Sequence, residues 1–381
     1  MRESGPMTSY TEHFGPFDGH TWLNCAHQGP LPKVAVGEAQ RALDEKLAPH
    51  RLPDESFAET PRRLKAALGR LVHVPADEII LGNSTAYGLN LLVQGLRLRE
   101  GDEVVLIDGD FPSTVITWLP LRKRGINIRL VRPSQWPPAL EEIEDQISPR
   151  TRVLCCSWVF SFFGAAIDLE SIGAMCRQRG VLFVVNGSQA VGAREIDVSR
   201  LPVDALVSCG FKWQCGPYGT GFAWIRSEVL DDLTYEQAYW LAHGGARSTS
   251  YELHDDLGAS AYDVFGTANF LNFRAWTASL ELLLELGVHN VQRYDDELVM
   301  QLLGGLDQLG YVLASPRSDN ERSTLVLFTH QDPSRNATIQ ASLKEHDIHV
   351  AERDGKLRIS PHLYNTAEDI NRALEVLADF D

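Results

Sequence analysis

The chain has 381 residues, 44% of them hydrophobic and 23% charged, with a formal net charge of −16. That length exceeds one small core and predicts two structural parts; the acidic balance argues against nucleic acid or anionic membrane as a partner. No run approaches the roughly 18 apolar residues of a membrane span, no apolar leader core stands in residues 1–30, and six cysteines without a C-x-x-C pair predict reduced, buried thiols and a cytoplasmic location.

Residues 1–33 read as an irregular arm rich in Gly, Pro and aromatics, lying over the rest. Helical spacing covers 34–48 and again 61–72, the second with Pro61 expected in its first turn. From 78 to 226, short apolar runs alternate with amphipathic stretches. Strands are predicted at 78–81, 103–107, 126–131, 151–159, 181–185, 204–209 and 221–225, with helices at 86–96 and 169–179 among them. Continuous apolar runs, rather than alternating ones, imply strands buried on both faces. The fold class is therefore α/β, a mostly parallel central sheet with helices on both faces. After about 265 the pattern changes to long helices at 271–286 and 289–309. A strand at 324–328, a helix at 337–346, strands at 349–352 and 356–359, and a helix opening on the capping-box pattern Thr366-Ala-Glu-Asp369 follow. This predicts a large domain over 34–265 and a smaller α+β unit formed by 266–381 with the arm 1–33.

Several positions could carry chemistry. Gly82-Asn-Ser-Thr-Ala86 joins a strand to a helix, so Ser84 and Thr85 are either plain caps or the donors of an anion site at the helix N-terminus. Phe111 follows the strand ending at 107, where ligands bind in open α/β sheets; it could stack on a flat ring or pack into the core. Asn186 and Gln189 follow the strand at 181–185, in a glycine-stabilised turn. Lys212 stands between two apolar runs; burial of an ammonium is costly, so it is either a free amine of depressed pKa or a lysine that reaches water. Arg358, inside an apolar strand, needs an acid: a substrate carboxylate or a structural partner. The 12 histidines include no H-E-x-x-H, and no metal site is predicted.

In their order along the chain, these segments resemble the class V aminotransferase family of fold type I pyridoxal-phosphate enzymes, the branch of cysteine desulfurases and isopenicillin-N-epimerase-like proteins. The resemblance rests most on Ser208-Cys-Gly-Phe-Lys212 with its G-P-Y-G-T-G tail and on Arg358-Ile-Ser-Pro-His-Leu-Tyr-Asn-Thr366. It implies pyridoxal 5'-phosphate held covalently by Lys212, which also shuttles the α-proton. It implies a phosphate cup of Ser84, Thr85 and Ser208, completed across a homodimer interface by Gly266 and Thr267. It further implies ring stacking by Phe111, a contact of Gln189 with the phenolic oxygen, a substrate carboxylate on Arg358, and substrate contacts from His27 and Gln28. Residues 13–30 of the arm, residues 158–163 and the loop 240–251 with Arg247 are expected to select the side chain. Two positions depart from the family: Asn186 stands where an aspartate keeps the pyridine nitrogen protonated, and Phe211 where a histidine is usual. The Asn186-Gly187 pair also carries a deamidation signature. No cysteine lies between Ser342 and Arg358, which argues against a desulfurase with a persulfide on that loop. The implied activity is amino-acid transamination; β-elimination at a C–S bond, or epimerisation, is the alternative that Asn186 favours.

Overall fold

The structure is a computed structural model that describes residues 9–234, 237–240, 242–243, 253–254, 257–266 and 268–380. The thirteen strands among the described residues are numbered in chain order. Seven form the central sheet: β2 (Ile79–Gly82), β3 (Glu103–Ile107), β4 (Asn127–Val131), β5 (Thr151–Ser157), β6 (Leu182–Asn186), β7 (Ala205–Cys209) and β8 (Gly221–Ile225). Their order is β2-β8-β7-β6-β5-β3-β4. The five strands from β7 to β4 are parallel, and β8 runs antiparallel between β7 and β2. Every residue of β2, β3, β7 and β8 is buried, as their unbroken apolar character requires when helices cover both faces. Edge strand β4 is the most exposed of the seven.

The predicted helices form close to their expected limits because their ends carry local signals. Asp168 Oδ1 accepts from the N–H groups of Glu170 and Ser171 to start the helix Leu169–Arg179, and Gly180 (φ 67°) ends it. Thr366 and Asp369 exchange capping bonds at the head of Ala367–Ala378. Pro61 is a correction. The helix starts a turn earlier, at Ser56, and Pro61 lies inside Ser56–Val72. Phe57 in the added turn packs edge-on against Phe270, 5.2 Å between centroids.

A second, antiparallel sheet comprises β9 (Val312–Leu313), β10 (Val326–Thr329), β12 (Ala351–Arg353) and β13 (Lys356–Ile359), in the order β12-β13-β10-β9. Leu357, Ile359 and Phe328 from it share a core with Leu298, Leu302, Ile339 and Leu377 of the flanking helices. The expected strand over 349–352 divides: β12 joins this sheet, while β11 (Ile348–His349) pairs in parallel with β1 (Thr21–Trp22) of the arm. Asn24 then bridges to Ser360, and Leu23 enters the small core. The arm is thus bonded in as a strand and carried on to the C-terminal edge of the central sheet, where Gly29 N donates to Phe211 O.

Candidate active site

The parallel strands end together at one edge, and the turns after β3, β5, β6 and β7 bring Phe111, Ser157, Asn186 and Lys212 to it. Lys212 is buried, with 7% of its surface exposed. Its Nζ lies 5.3 Å from the ring centre of Phe111 and 5.8 Å from that of Phe211. No carboxylate pairs with it among the described residues. Burial lowers its pKa, and the nearby guanidinium groups of Arg358 and Arg353 lower it further. The amine is therefore biased toward its neutral, nucleophilic form.

Asn186 ends β6 and is held from two sides. Its Oδ1 accepts from Ser188 N (3.0 Å), and its Nδ2 donates to Thr114 Oγ1 (2.8 Å). The backbone N–H of Ser188 can only donate, so the oxygen end of the amide is fixed toward it. Ser188 Oγ in turn bonds Thr85 Oγ1 at 2.6 Å. On the other side Thr114 Oγ1 lies 3.5 Å from Ser157 Oγ, which donates to Asp110 Oδ1 (2.6 Å). Asp110 also accepts from the N–H groups of Phe111 (2.6 Å) and Ser157 (2.8 Å). A buried carboxylate thus stands two hydroxyls behind Asn186 and fixes the loop that carries Phe111. Deamidation of Asn186 is opposed by this geometry: the Gly187 nitrogen that would attack the amide carbon already donates to Val207 O, 2.8 Å away.

Burial pushes the Asp110 carboxyl up to about 6, against the lowering effect of its three donors. A raised folded pKa contributes stability that is complete below the ordinary aspartate value and is lost as pH rises through about 6. The denaturant midpoint of the wild type should therefore fall relative to that of Asp110→Asn as pH rises from about 4 to 7. A difference between the two that is flat with pH would show that Asp110 is ionised throughout.

Ser84 caps the helix Thr85–Gly95: its Oγ accepts from Tyr87 N at 3.2 Å. Gly221 permits the close approach of β8 here, because a Cβ would come within 2.6–2.8 Å of Ser84 backbone atoms. Ser208 is fully buried, its hydroxyl accepting from Gln214 Nε2 (3.3 Å) and donating to Cys209 O (3.4 Å). Gln189 is engaged at both ends. Its Nε2 donates to Ala26 O and Ser161 Oγ (each 3.0 Å), and its Oε1 accepts from Trp213 Nε1 (2.9 Å). It ties the arm, the 158–163 loop and the lysine loop together.

Arg358 is 2% exposed, and no carboxylate among the described residues touches it. Nη1 donates to Ser161 O and Nη2 to Asn24 Oδ1, each at 3.2 Å, while Nε has no partner among them. Burial, then the charge of Arg353, brings its pKa down to about 9. A buried guanidinium satisfied by neutral oxygens, with one donor unused, is organised to receive an anion. His27 is exposed at the same opening and Gln28 half-buried beside it. Gly266 lies exposed, at φ 80°. Thr267 and Arg247 lie outside the described residues, as does most of the loop 240–251.

Asp110, Thr114 and Ser157 are the functional neighbours that the sequence does not single out, while Ser161 and Asn24 fall inside the 158–163 segment and the arm without being distinguished there. Asp110 adjoins Phe111, and its acidic side chain so soon after a buried strand was the available signal. Asn24 carried none, since its partner Arg358 is 334 residues away.

Residues 52–373 match the family model described as aminotransferase class-V. Among curated relatives, the chain is 26% identical to a probable cysteine desulfurase of Methanothermobacter thermautotrophicus, over 94% of each chain. It is 27% identical to isopenicillin N epimerase of Streptomyces clavuligerus, over 93% of each. Among solved structures, a mutant of C-DES with glycine covalently linked to the PLP cofactor superposes with a TM-score of 0.87 at 24% identity, covering 97% of this chain and 99% of that one. The cystine C–S lyase C-DES with cysteine persulfide gives 0.85 at 24% identity, covering 94% and 97%.

Proposed function

The chain belongs to the class V aminotransferase family, and from that premise we propose that it is a pyridoxal-phosphate enzyme working at the α-carbon of an amino acid, most simply as an aminotransferase. The observation that carries this reading is Lys212: a buried amine without an acidic partner among the described residues, flanked by Phe111 and within the electrostatic reach of Arg358, which no carboxylate among them touches. The residues present fit the cofactor. The helix start at Ser84–Thr85 offers donors for its phosphate, Phe111 an aromatic face for its ring, and Lys212 an amine for its aldehyde. Pyridoxal phosphate supplies a carbonyl that condenses with amines and a conjugated ring that withdraws electrons from the α-carbon. Arg358 binds and orients the substrate carboxylate through its guanidinium fork. Lys212 Nζ, once free, takes the α-proton, and the aromatic walls of Phe111, Phe162 and Phe211 limit the water that competes for it.

A second reading, β-elimination at a C–S bond, is supported by Asn186. An amide brings no negative charge to the ring nitrogen, so the ring is a weaker electron sink. That costs most where a full carbanion must persist and least where a β-leaving group departs with the α-proton. Epimerisation is the third outcome. In this reading residues 34–265 form the cofactor domain, 1–33 and 266–381 the arm and small domain, and two copies share the sites as a homodimer in the cytoplasm. No helix among the described residues is long and apolar enough to cross a membrane.

The test is spectroscopic first. The purified protein should be yellow, and borohydride should fix the cofactor to Lys212 in the peptide map; a protein that stays colourless with added pyridoxal phosphate removes the proposal. Keto acid formed only with an amino acceptor identifies transamination. Pyruvate and thiol released from a cysteine conjugate without acceptor identify elimination.

A further inference from the structure

The hairpin that supplies Arg358 presents more than one cation. In the antiparallel pairing of β12 with β13, Ala351 faces Arg358 and Arg353 faces Lys356. Paired residues share a sheet face, and so do alternate residues along a strand. Arg353, Lys356 and Arg358 therefore line one face of the hairpin, from the buried Arg358 outward to the half-buried Arg353 and Lys356. Lys356 is compensated, with Asp354 at 3.1 Å, and lies 5.9 Å from the ring centre of Phe163 at the site's rim. Arg353 is not: among the described residues it has no acidic partner, and Nη1 donates only to the Glu352 carbonyl. It faces the same space as the other site cations. Its charge is among the influences that depress His27, Lys212 and Arg358, and after burial it is the first of them for His27.

We propose that the site takes an amino acid whose side chain ends in a second acidic group, with the α-carboxylate on Arg358 and the distal carboxylate on Arg353; this rests on the reading of the pocket as an amino-acid site given above. One carboxylate neutralises Arg358 and leaves Arg353 unpaired in a partly desolvated cleft. A second one satisfies both. In a chain of net charge −16, concentrating unpaired cations at one opening also steers a dianion inward. The register sets the scale: Arg353 lies one pleat repeat, about 7 Å, along the sheet from the position opposite Arg358, a span suited to an acidic side chain of glutamate length or to a carboxylate-bearing cysteine conjugate.

The test uses the holoenzyme and its visible band. Glutamate and glutamine have the same shape and differ in the distal charge, as do S-carboxymethylcysteine and its amide. Titrating the band with each pair should show the acid binding about ten- to a hundredfold more tightly than the amide. Arg353→Gln should bring that ratio to about one, and Arg353→Lys should restore part of it, with the thermal unfolding of both variants matching the parent. Equal affinities for acid and amide in the wild type overturn the inference, and so does a preference that survives in Arg353→Gln. Either result leaves the amino-acid site standing, whereas a holoenzyme whose band responds to no amino acid overturns both readings.

Discussion

Lys212→Ala is expected to lower turnover by about a hundred- to ten-thousandfold while leaving the protein folded. The second half of that expectation comes from the structure. Among the described residues Lys212 has no acid to abandon, so truncation orphans no carboxylate there; it removes the buried stem and the approach of Nζ to the rings of Phe111 and Phe211. Its main-chain role survives, because Cys215 N still donates to the carbonyl of residue 212 (3.0 Å). The first half comes from the electrostatics. Burial lowers the lysine's pKa, Arg358 and Arg353 add to the effect against the raising influence of Cys209 and Cys25, and the shift favours its use as a base. Lys212→Arg separates the roles. Arginine keeps a positive charge and cannot be deprotonated at working pH, so it should be as inactive as alanine and should show no borohydride-fixed cofactor. Turnover by the arginine variant near the parent rate would mean that position 212 contributes charge alone.

How much of this was legible in the sequence differs by residue, and the reason is physical. Strands such as Glu103–Ile107 and Gly221–Ile225 are legible to the residue because a strand covered on both faces reads as a continuous apolar run, Glu103 at the head of the first being paired with Arg129 and Arg150. Lys212 and Arg358 were legible because a charge inside an apolar run is itself the anomaly. The antiparallel insertion of β8 was not, since burial patterning carries no strand direction. Nor was the commitment of Gln189 to Ala26, Ser161 and Trp213, which depends on three loops meeting at one amide. The cationic face of the hairpin lay between: Arg353 and Arg358 are visible in the sequence, but only the pairing of Ala351 with Arg358 puts them on the same side. Pro61 misled because its preference for a first turn was given more weight than the helix-compatible residues before it.

The largest stability effect is expected at His362, which lies in the motif beside Arg358 but does not face the cleft. His362 is fully buried; its Nδ1 lies 2.8 Å from Asp295 Oδ2 and its Nε2 3.1 Å from Trp213 O. Both neighbours are acceptors. With Asp295 ionised, a neutral imidazole would turn a lone pair on one of them, so the imidazolium is the form that satisfies both. Against the cost of burial, the Asp295 carboxylate raises the His362 pKa to about 10, with the Cys215 thiol adding to the effect. Removing the imidazole with His362→Ala leaves Asp295 buried without a counter-charge, its Oδ1 already lacking a partner. The expected loss is about 3–5 kcal/mol, read from denaturant midpoints. Replacing both partners by leucine should recover most of it, because an apolar pair carries no desolvation penalty. The sign with pH follows from a raised folded value. The imidazolium's contribution is lost as pH rises toward about 10, and Asp295, itself pushed up to about 6 by burial, gives up its charge as pH falls through that value, so the gap between wild type and His362→Ala should be widest between the two and narrow in alkali. Trp213 adjoins Lys212 in the chain and its carbonyl is what Nε2 holds. The same substitution should therefore loosen the lysine loop, seen as faster amide exchange at residues 213–215 than in the leucine pair. Equal exchange in the two would confine the role of His362 to the small domain.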